Sequence, residues 1–196
     1  PSIIVSFTPS ICNGAYTDIN VTSDTPNTTF TWAATTSNIN NSYLLFGNQT
    51  NINQFVFLEN TVTFGSITLM ITPFANGEYG SPQIININVN SSPNLPSLAT
   101  TSICNHENYY LSINSLPIYP NTTYSWTVTA NNVIGATAGS GQGNFVINQQ
   151  LSLLFPDFSG SVTYHITPSL NGCNGTTVNY TVIVNPIPNT GISGEI

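Results

Sequence analysis

The chain has 196 residues, 4% of them charged and none of them Lys or Arg, and seven carboxylates give it a formal charge of −7. Affinity for phosphate depends on Lys and Arg displacing counterions, so this composition excludes nucleic acid as a partner and disfavours anionic membrane surfaces. With 40% hydrophobic and 11% aromatic residues the chain is too apolar to stay disordered, and no apolar run approaches the length of a membrane helix, so membrane insertion is not expected. Asn, Thr, Ser, Val, Ile and Tyr dominate, a composition that favours pleated strands and turns over helices.

Along the chain, period-two alternation predicts half-buried strands carrying Ile19 and Val21, then Phe30, Trp32 and Ala34, then Ile67, Leu69 and Ile71, then Ile85, Ile87 and Val89. A Pro-bearing joint, Asn90 to Pro96, follows. The alternation then resumes with Leu111 and Ile113, with Tyr124, Trp126 and Val128, with Val162, Tyr164 and Ile166, and with Tyr180, Val182 and Val184. Pro117, Pro120-Asn121 and Asn171-Gly172 punctuate these runs as turns, and a second joint spans Asn185 to Asn189. Prolines at that density make semi-rigid spacers.

The two halves are copies. Ser10-Ile11-Cys12-Asn13 returns as Ser102-Ile103-Cys104-Asn105, and Phe30-Thr31-Trp32 as Tyr124-Ser125-Trp126. The run Gly65 to Pro73, followed by Asn76-Gly77, returns as Gly160 to Pro168, followed by Asn171-Gly172. The expected organisation is a degenerate repeat over 1–92, a second over 93–188 and, from the register of Ile11, Ile103 and Ile196, the start of a third over 189–196. Each repeat should be an all-β, immunoglobulin-like antiparallel sandwich of about seven strands, with Trp32, Trp126, Phe30, Tyr124 and Tyr164 as core aromatics.

These residues resemble the PKD-like domains repeated in giant secreted and cell-surface proteins of Bacteroidota. The resemblance rests on Ser102-Ile103-Cys104, Thr123 to Thr129 around Trp126, Gly135-Ala136 with Gly139-Ser140-Gly141, Val162 to Pro168, Asn171-Gly172-Cys173 and Val184-Asn185-Pro186. The first repeat matches as a copy without the Gly-rich segment and the second cysteine, and the Trp-Asp-Phe-Gly-Asp-Gly signature of PKD domains proper is missing. The resemblance implies secretion, surface display and a spacer or adhesive role, as in gliding adhesins and surface filaments.

Cys104 and Cys173, near the start and end of one repeat, suggest a disulfide, which would close a loop of about 70 residues and add roughly 4 kcal/mol at most. The alternative is two buried thiols. Cys12 has no such partner, because Glu78 holds the place matching Cys173; it is expected unpaired in this chain, as a free thiol or bonded to something beyond it. His106 and His165 read as surface polar residues without metal-ligand spacing, and His106 with Glu107 does not make an acid–base pair, since neighbours on a strand point apart. Scattered carboxylates assemble no metal loop or paired-acid site, with Asp18 and Asp24 read as turn or edge residues. Gly139 to Gly143 lacks the helix and Lys of a phosphate cradle and reads as a hairpin or flexible loop. No catalytic, cofactor or metal site is therefore expected, and the chain is not read as an enzyme. Without Lys, Lys–Asn isopeptide cross-links cannot form inside it.

The leading expectation is an extracellular structural or adhesive repeat of a stalk, fibre or adhesin, partnered by neighbouring repeats and by other copies of the chain in a filament. The alternative is a carbohydrate-binding accessory module of a secreted polysaccharide-degrading enzyme, with Tyr43, Phe46, Tyr109, Tyr110 or Phe158 as sugar platforms for a glycan.

Overall fold

The computed structural model describes residues 1–40, 46–60, 62–116 and 118–188. Tyr43, Pro117 and the expected third repeat over 189–196 lie outside the described residues. The chain forms two compact units, Pro1–Ser92 and Pro93–Ile196. Among the described residues there is no helix, and so none long and apolar enough to cross a membrane.

The first unit holds β1 (Ile4–Ser6), β2 (Ser10–Cys12), β3 (Ala15–Tyr16), β4 (Ile19–Thr22), β5 (Thr29–Ser37), β6 (Phe46–Gly47), β7 (Asn51–Ile52), β8 (Phe55–Val56), β9 (Phe64–Ala75), β10 (Glu78–Tyr79) and β11 (Gln83–Asn90). Its main sheet runs β2-β11-β9-β5-β6, with β10 beside β9; β1-β4-β7 and β3-β8 form further short sheets. The second unit holds β12 (Thr101–Cys104), β13 (Asn108–Ile113), β14 (Thr123–Asn131), β15 (Val133–Ile134), β16 (Gly139–Gln142), β17 (Phe145–Gln150), β18 (Ser152–Leu153), β19 (Gly160–Leu170), β20 (Cys173–Asn174) and β21 (Val178–Asn185). Its main sheet repeats the order as β12-β21-β19-β14-β16, with β20 beside β19 and the pairs β13-β17 and β15-β18 apart from it. Both units are all-β immunoglobulin-like domains. Two details differ from the sequence reading. The strands are more numerous than seven per repeat, because two- to four-residue strands flank the long ones. One pairing in each main sheet, β2 with β11 and β12 with β21, is parallel.

Alternation explains why these segments are strands and which face they bury. In β19 the residues Val162, Tyr164 and Ile166 are fully buried, and in β9 so are Ile67, Leu69 and Ile71. Every second side chain of each strand thus reaches one core, and each large side chain so buried contributes about 1.5–3 kcal/mol. Phe30 and Trp32 enter the first core; Tyr124, Trp126 and Tyr164 enter the second. A Cβ on Gly139 would come within 2.6 Å of the Trp126 ring, and Gly47 stands against Trp32 in the same way. The Gly-rich stretch Gly139–Gln142 is accordingly an edge strand in which Gly139 makes room for the indole and Gly141 for the Phe145 ring.

Two local devices recur. Asn76 and Gly77, with φ of 52° and 81°, turn β9 into β10, and Asn171 and Gly172, with φ of 50° and 83°, turn β19 into β20. Positive φ at both central residues is the two-residue hairpin turn for which Asn-Gly is the favoured sequence. The second device is the Asn after each first cysteine. Asn13 N–H donates to the Asn90 carbonyl, and its side-chain oxygen accepts from Leu58 N–H at 2.8 Å. Asn105 does the same with the Asn185 carbonyl and with Leu153 N–H at 2.7 Å. This clamp gives the repeated Cys-Asn a structural reason.

Candidate functional site

Each sandwich has two ends of different chemistry. In the second unit the chain enters beside the β19–β20 hairpin, where Pro93 lies against Gly175, and the loop before β14 exposes Leu116 and Ile118 nearby. It leaves at the opposite end, where Cys104 pairs with Asn185 and Gly160 with Val184. We call these the leading and trailing ends. In the first unit Pro1 lies against Gly80 beside the β9–β10 hairpin, and Cys12 pairs with Asn90 at the other end of the sheet.

This geometry corrects the cysteine assignment. Cys173 sits opposite Leu170 at the leading end, whereas Cys104 sits at the trailing end, level with the start of β19. A strand rises about 3.3 Å per residue, so the length of β19 holds them roughly 30 Å apart, while a disulfide needs Cα atoms within about 7 Å. The bridge Cys104–Cys173 does not form: Cys104 is a free, exposed thiol. Cys12 and Cys173 are the disulfide-bonded cysteines, so the expectation of an unpaired Cys12 is overturned as well. Both expectations assumed that the two cysteine positions of a repeat face one another, and the ladder places them at opposite ends.

Among the described residues the other candidate polar groups are not brought together. All six carboxylates in the described residues, Asp18, Asp24, Glu59, Glu78, Glu107 and Asp157, are exposed. No cluster of three or more His, Cys, Asp or Glu that could hold a metal occurs among the described residues. His165 lies on the outer face between Thr129 Oγ1 at 2.9 Å and Asn179 Oδ1 at 2.8 Å. His106 sits in a left-handed turn with Nδ1 2.9 Å from Ser152 Oγ. Glu107 does not face it for proton transfer; its carboxylate accepts the Cys104 backbone N–H at 2.8 Å. A groove of about 790 Å³ on the outer face of the second sheet is lined by hydroxyl and amide side chains such as Ser125, Gln142, Thr167 and Asn174.

The aromatic residues divide between core and surface. Tyr109 is buried and stacks on Tyr164 at 5.7 Å, so it offers no sugar platform. Period two, read backwards from Leu111 and Ile113, carries that information. Phe46, Tyr110 and Phe158 are exposed, Phe46 on β6 of the first unit and, in the second unit, Tyr110 on the outer side of β13 and Phe158 in the loop before β19. An exposed group that the sequence reading did not single out converges: Tyr16, Phe55 and Phe57, with ring centroids 4.9 and 4.6 Å apart. The register Tyr16↔Phe55 that unites them is a long-range pairing without a local sequence signal.

Burial pushes the Tyr164 phenol up to about 12, with Tyr109 adding to the effect, and raises Tyr109 and Tyr180 as well. Tyr164 O–H donates to Gln149 Oε1 at 2.9 Å, and Gln149 Nε2 donates to the Thr137 carbonyl, which also accepts from Trp126 Nε1. In the first unit Trp32 Nε1 has no such partner among the described residues.

The class defined by the fold is thus a pair of immunoglobulin-like all-β domains in tandem. Residues 101–188 match the family model of the PKD-like domain. No curated protein matches. Solved structures that resemble the chain include alpha-2-macroglobulin of E. coli, at 8% identity over 94% of this chain and 17% of that one, with a TM-score of 0.37. The human desmocollin-1 ectodomain matches at 11% identity over 95% and 42%, with a TM-score of 0.34. The FN1–FN3 domains of chicken CNTN1 match at 10% identity over 92% and 66%, with a TM-score of 0.39. The chain spans less than half the length of the first two.

Proposed function

We propose that the chain is a structural or adhesive segment of a secreted, surface-displayed protein, built from repeats like those of Bacteroidota adhesins and filaments and serving as stalk or fibre. The observation that carries this reading is the duplication itself. Two sandwiches share sheet order, Asn-Gly hairpins and Cys-Asn clamps. Such modules need only neighbour contacts to extend a chain. An antibody raised against the chain should label intact, unpermeabilised source cells or their culture fluid; signal confined to lysed cells would overturn the reading.

The carbohydrate-binding alternative draws little support from the platforms first considered, since Tyr109 is buried. On a glycan array the chain should retain no sugar at physiological concentration. Retention of one defined sugar would favour the accessory-module reading instead.

A further inference from the structure

The trailing end of the second repeat combines an open thiol with an uncovered apolar surface on a fixed frame. Cys104 is free and exposed. Its turn is pinned by the Asn105 clamp on Leu153 and by His106 N–H donating to the Leu151 carbonyl at 3.0 Å. The chain continues from there into Leu154, Phe155 and Phe158, which are 57%, 62% and 71% exposed, and Ile134 pairs with Ser152 alongside and is 53% exposed. These apolar groups do not hang on a slack loop. Asn132 Nδ2 donates to the Phe155 and Phe158 carbonyls at 3.2 and 2.8 Å, and Asn132 Oδ1 accepts from Phe155 N–H at 2.8 Å. A fixed, exposed apolar cluster of this kind marks an interaction surface.

The first repeat indicates what covers it. Cys12 holds the place of Cys104 there, by sequence and by its pairing at the end of the parallel edge strand, and Cys12 is disulfide-bonded. A cysteine at this place cannot bond within its own sandwich, because the hairpin position is a full strand length away. The bond open to Cys104 is therefore to another sandwich. The cysteine position at a leading end is that of the Asn-Gly-Cys hairpin, where Cys173 is itself bonded. That end also shows Leu116 and Ile118, apolar counterparts for Phe155 and Phe158.

We infer that the trailing end of the second repeat docks the leading end of a further repeat of the same kind, and that Cys104 forms a disulfide with the hairpin cysteine of that repeat. Two thiols each lose a proton, and their two electrons reduce a disulfide oxidant to two thiols while the S–S bond forms. This rests on the tandem-array reading, and deepens it by making the array covalently stapled through its sandwich ends.

The test is a chain of residues 1–196 continued by a second copy of residues 104–188, folded with oxidised glutathione, alkylated and mapped with a protease that does not need Lys or Arg. The expected map joins Cys104 to the hairpin cysteine of the added repeat. A second extension, a copy of residues 12–92, guards against misfolding of the first. Cys104 should stay alkylatable when that copy keeps Glu78 and become protected when it carries Glu78→Cys. Replacing Phe155 and Phe158 together by Ser should slow bond formation several-fold without abolishing it. A folded extension in which Cys104 remains alkylatable, or bonds the Cys104 of another chain, overturns the inference. Surface labelling of cells is unaffected by that outcome, so the array reading stands or falls separately.

Discussion

Asn105 shows how much one polar side chain holds together at the residue scale. It is buried, and its side-chain oxygen is the acceptor for Leu153 N–H, while its own N–H closes on the Asn185 carbonyl. Removing the acceptor leaves a buried donor unpaired, which costs about 1–3 kcal/mol. Asn105→Ala should lower the stability of the second repeat by that amount in chemical denaturation, and Asn13→Ala should cost the first repeat less, because Asn13 is exposed. The buried phenols make a second residue-scale prediction. A pKa raised in the folded state means that folding favours the neutral phenol, so the contribution is intact below about pH 10 and is lost as pH rises through the folded value. For Tyr164, raised to about 12, the loss amounts to roughly 2–3 kcal/mol. Denaturation monitored between pH 9 and 12, on the order of these values, should show the second repeat weakening ahead of the first, which has no buried Tyr among its described residues. Equal loss in both repeats would contradict the burial assignment. The thiols give a third check: native alkylation should mark Cys104 alone, with Cys12 and Cys173 reacting only after reduction.

At the scale of the element, the alternating strands were legible in the sequence because period two is a local signal. Ile67, Leu69 and Ile71, and Val162, Tyr164 and Ile166, all lie where the alternation predicts. The Asn-Gly turns were legible for the same reason, since their chemistry sits in two adjacent residues. What escaped was set by partners far along the chain. The Gly139 segment reads as a hairpin or flexible loop because it has no apolar alternation, and it is a strand antiparallel to β14, where the Trp126 ring leaves room at position 139 only for glycine. The cysteine assignment failed because it needed the parallel register of β12 on β21, which puts Cys104 beside Asn185 rather than near the hairpin. These two points predict different responses to adding a methyl group. Gly172→Ala meets open space but a φ of 83°, so it should cost about 1 kcal/mol through backbone strain alone. Gly139→Ala meets the Trp126 ring at 2.6 Å, so it should also change the tryptophan fluorescence of the second repeat. Spectra unchanged by Gly139→Ala, at equal stability, would mean that the indole does not occupy this place.

At the scale of the whole molecule, a composition without Lys or Arg leaves the sheet edges without their usual guards. Natural edge strands are protected by Lys, inward charges, proline or bulges. In the second repeat β16 closes the main sheet with Gly139-Ser140-Gly141-Gln142, bonded on one side to β14 and carrying no charge. Polar Ser and Gln keep such an edge soluble without repelling another strand. Copies of the chain should therefore associate through this edge as concentration rises, giving concentration-dependent sedimentation. A single charge on the exposed edge should be enough to disrupt pairing, because two copies meeting there would bring like charges together in a partly desolvated ladder. Ser140→Lys, at an exposed position, should return the protein to monomer while leaving its thermal unfolding unchanged. Monomeric behaviour of the unmodified chain at high concentration, or association that persists in the Ser140→Lys variant, would show that this edge is not the contact.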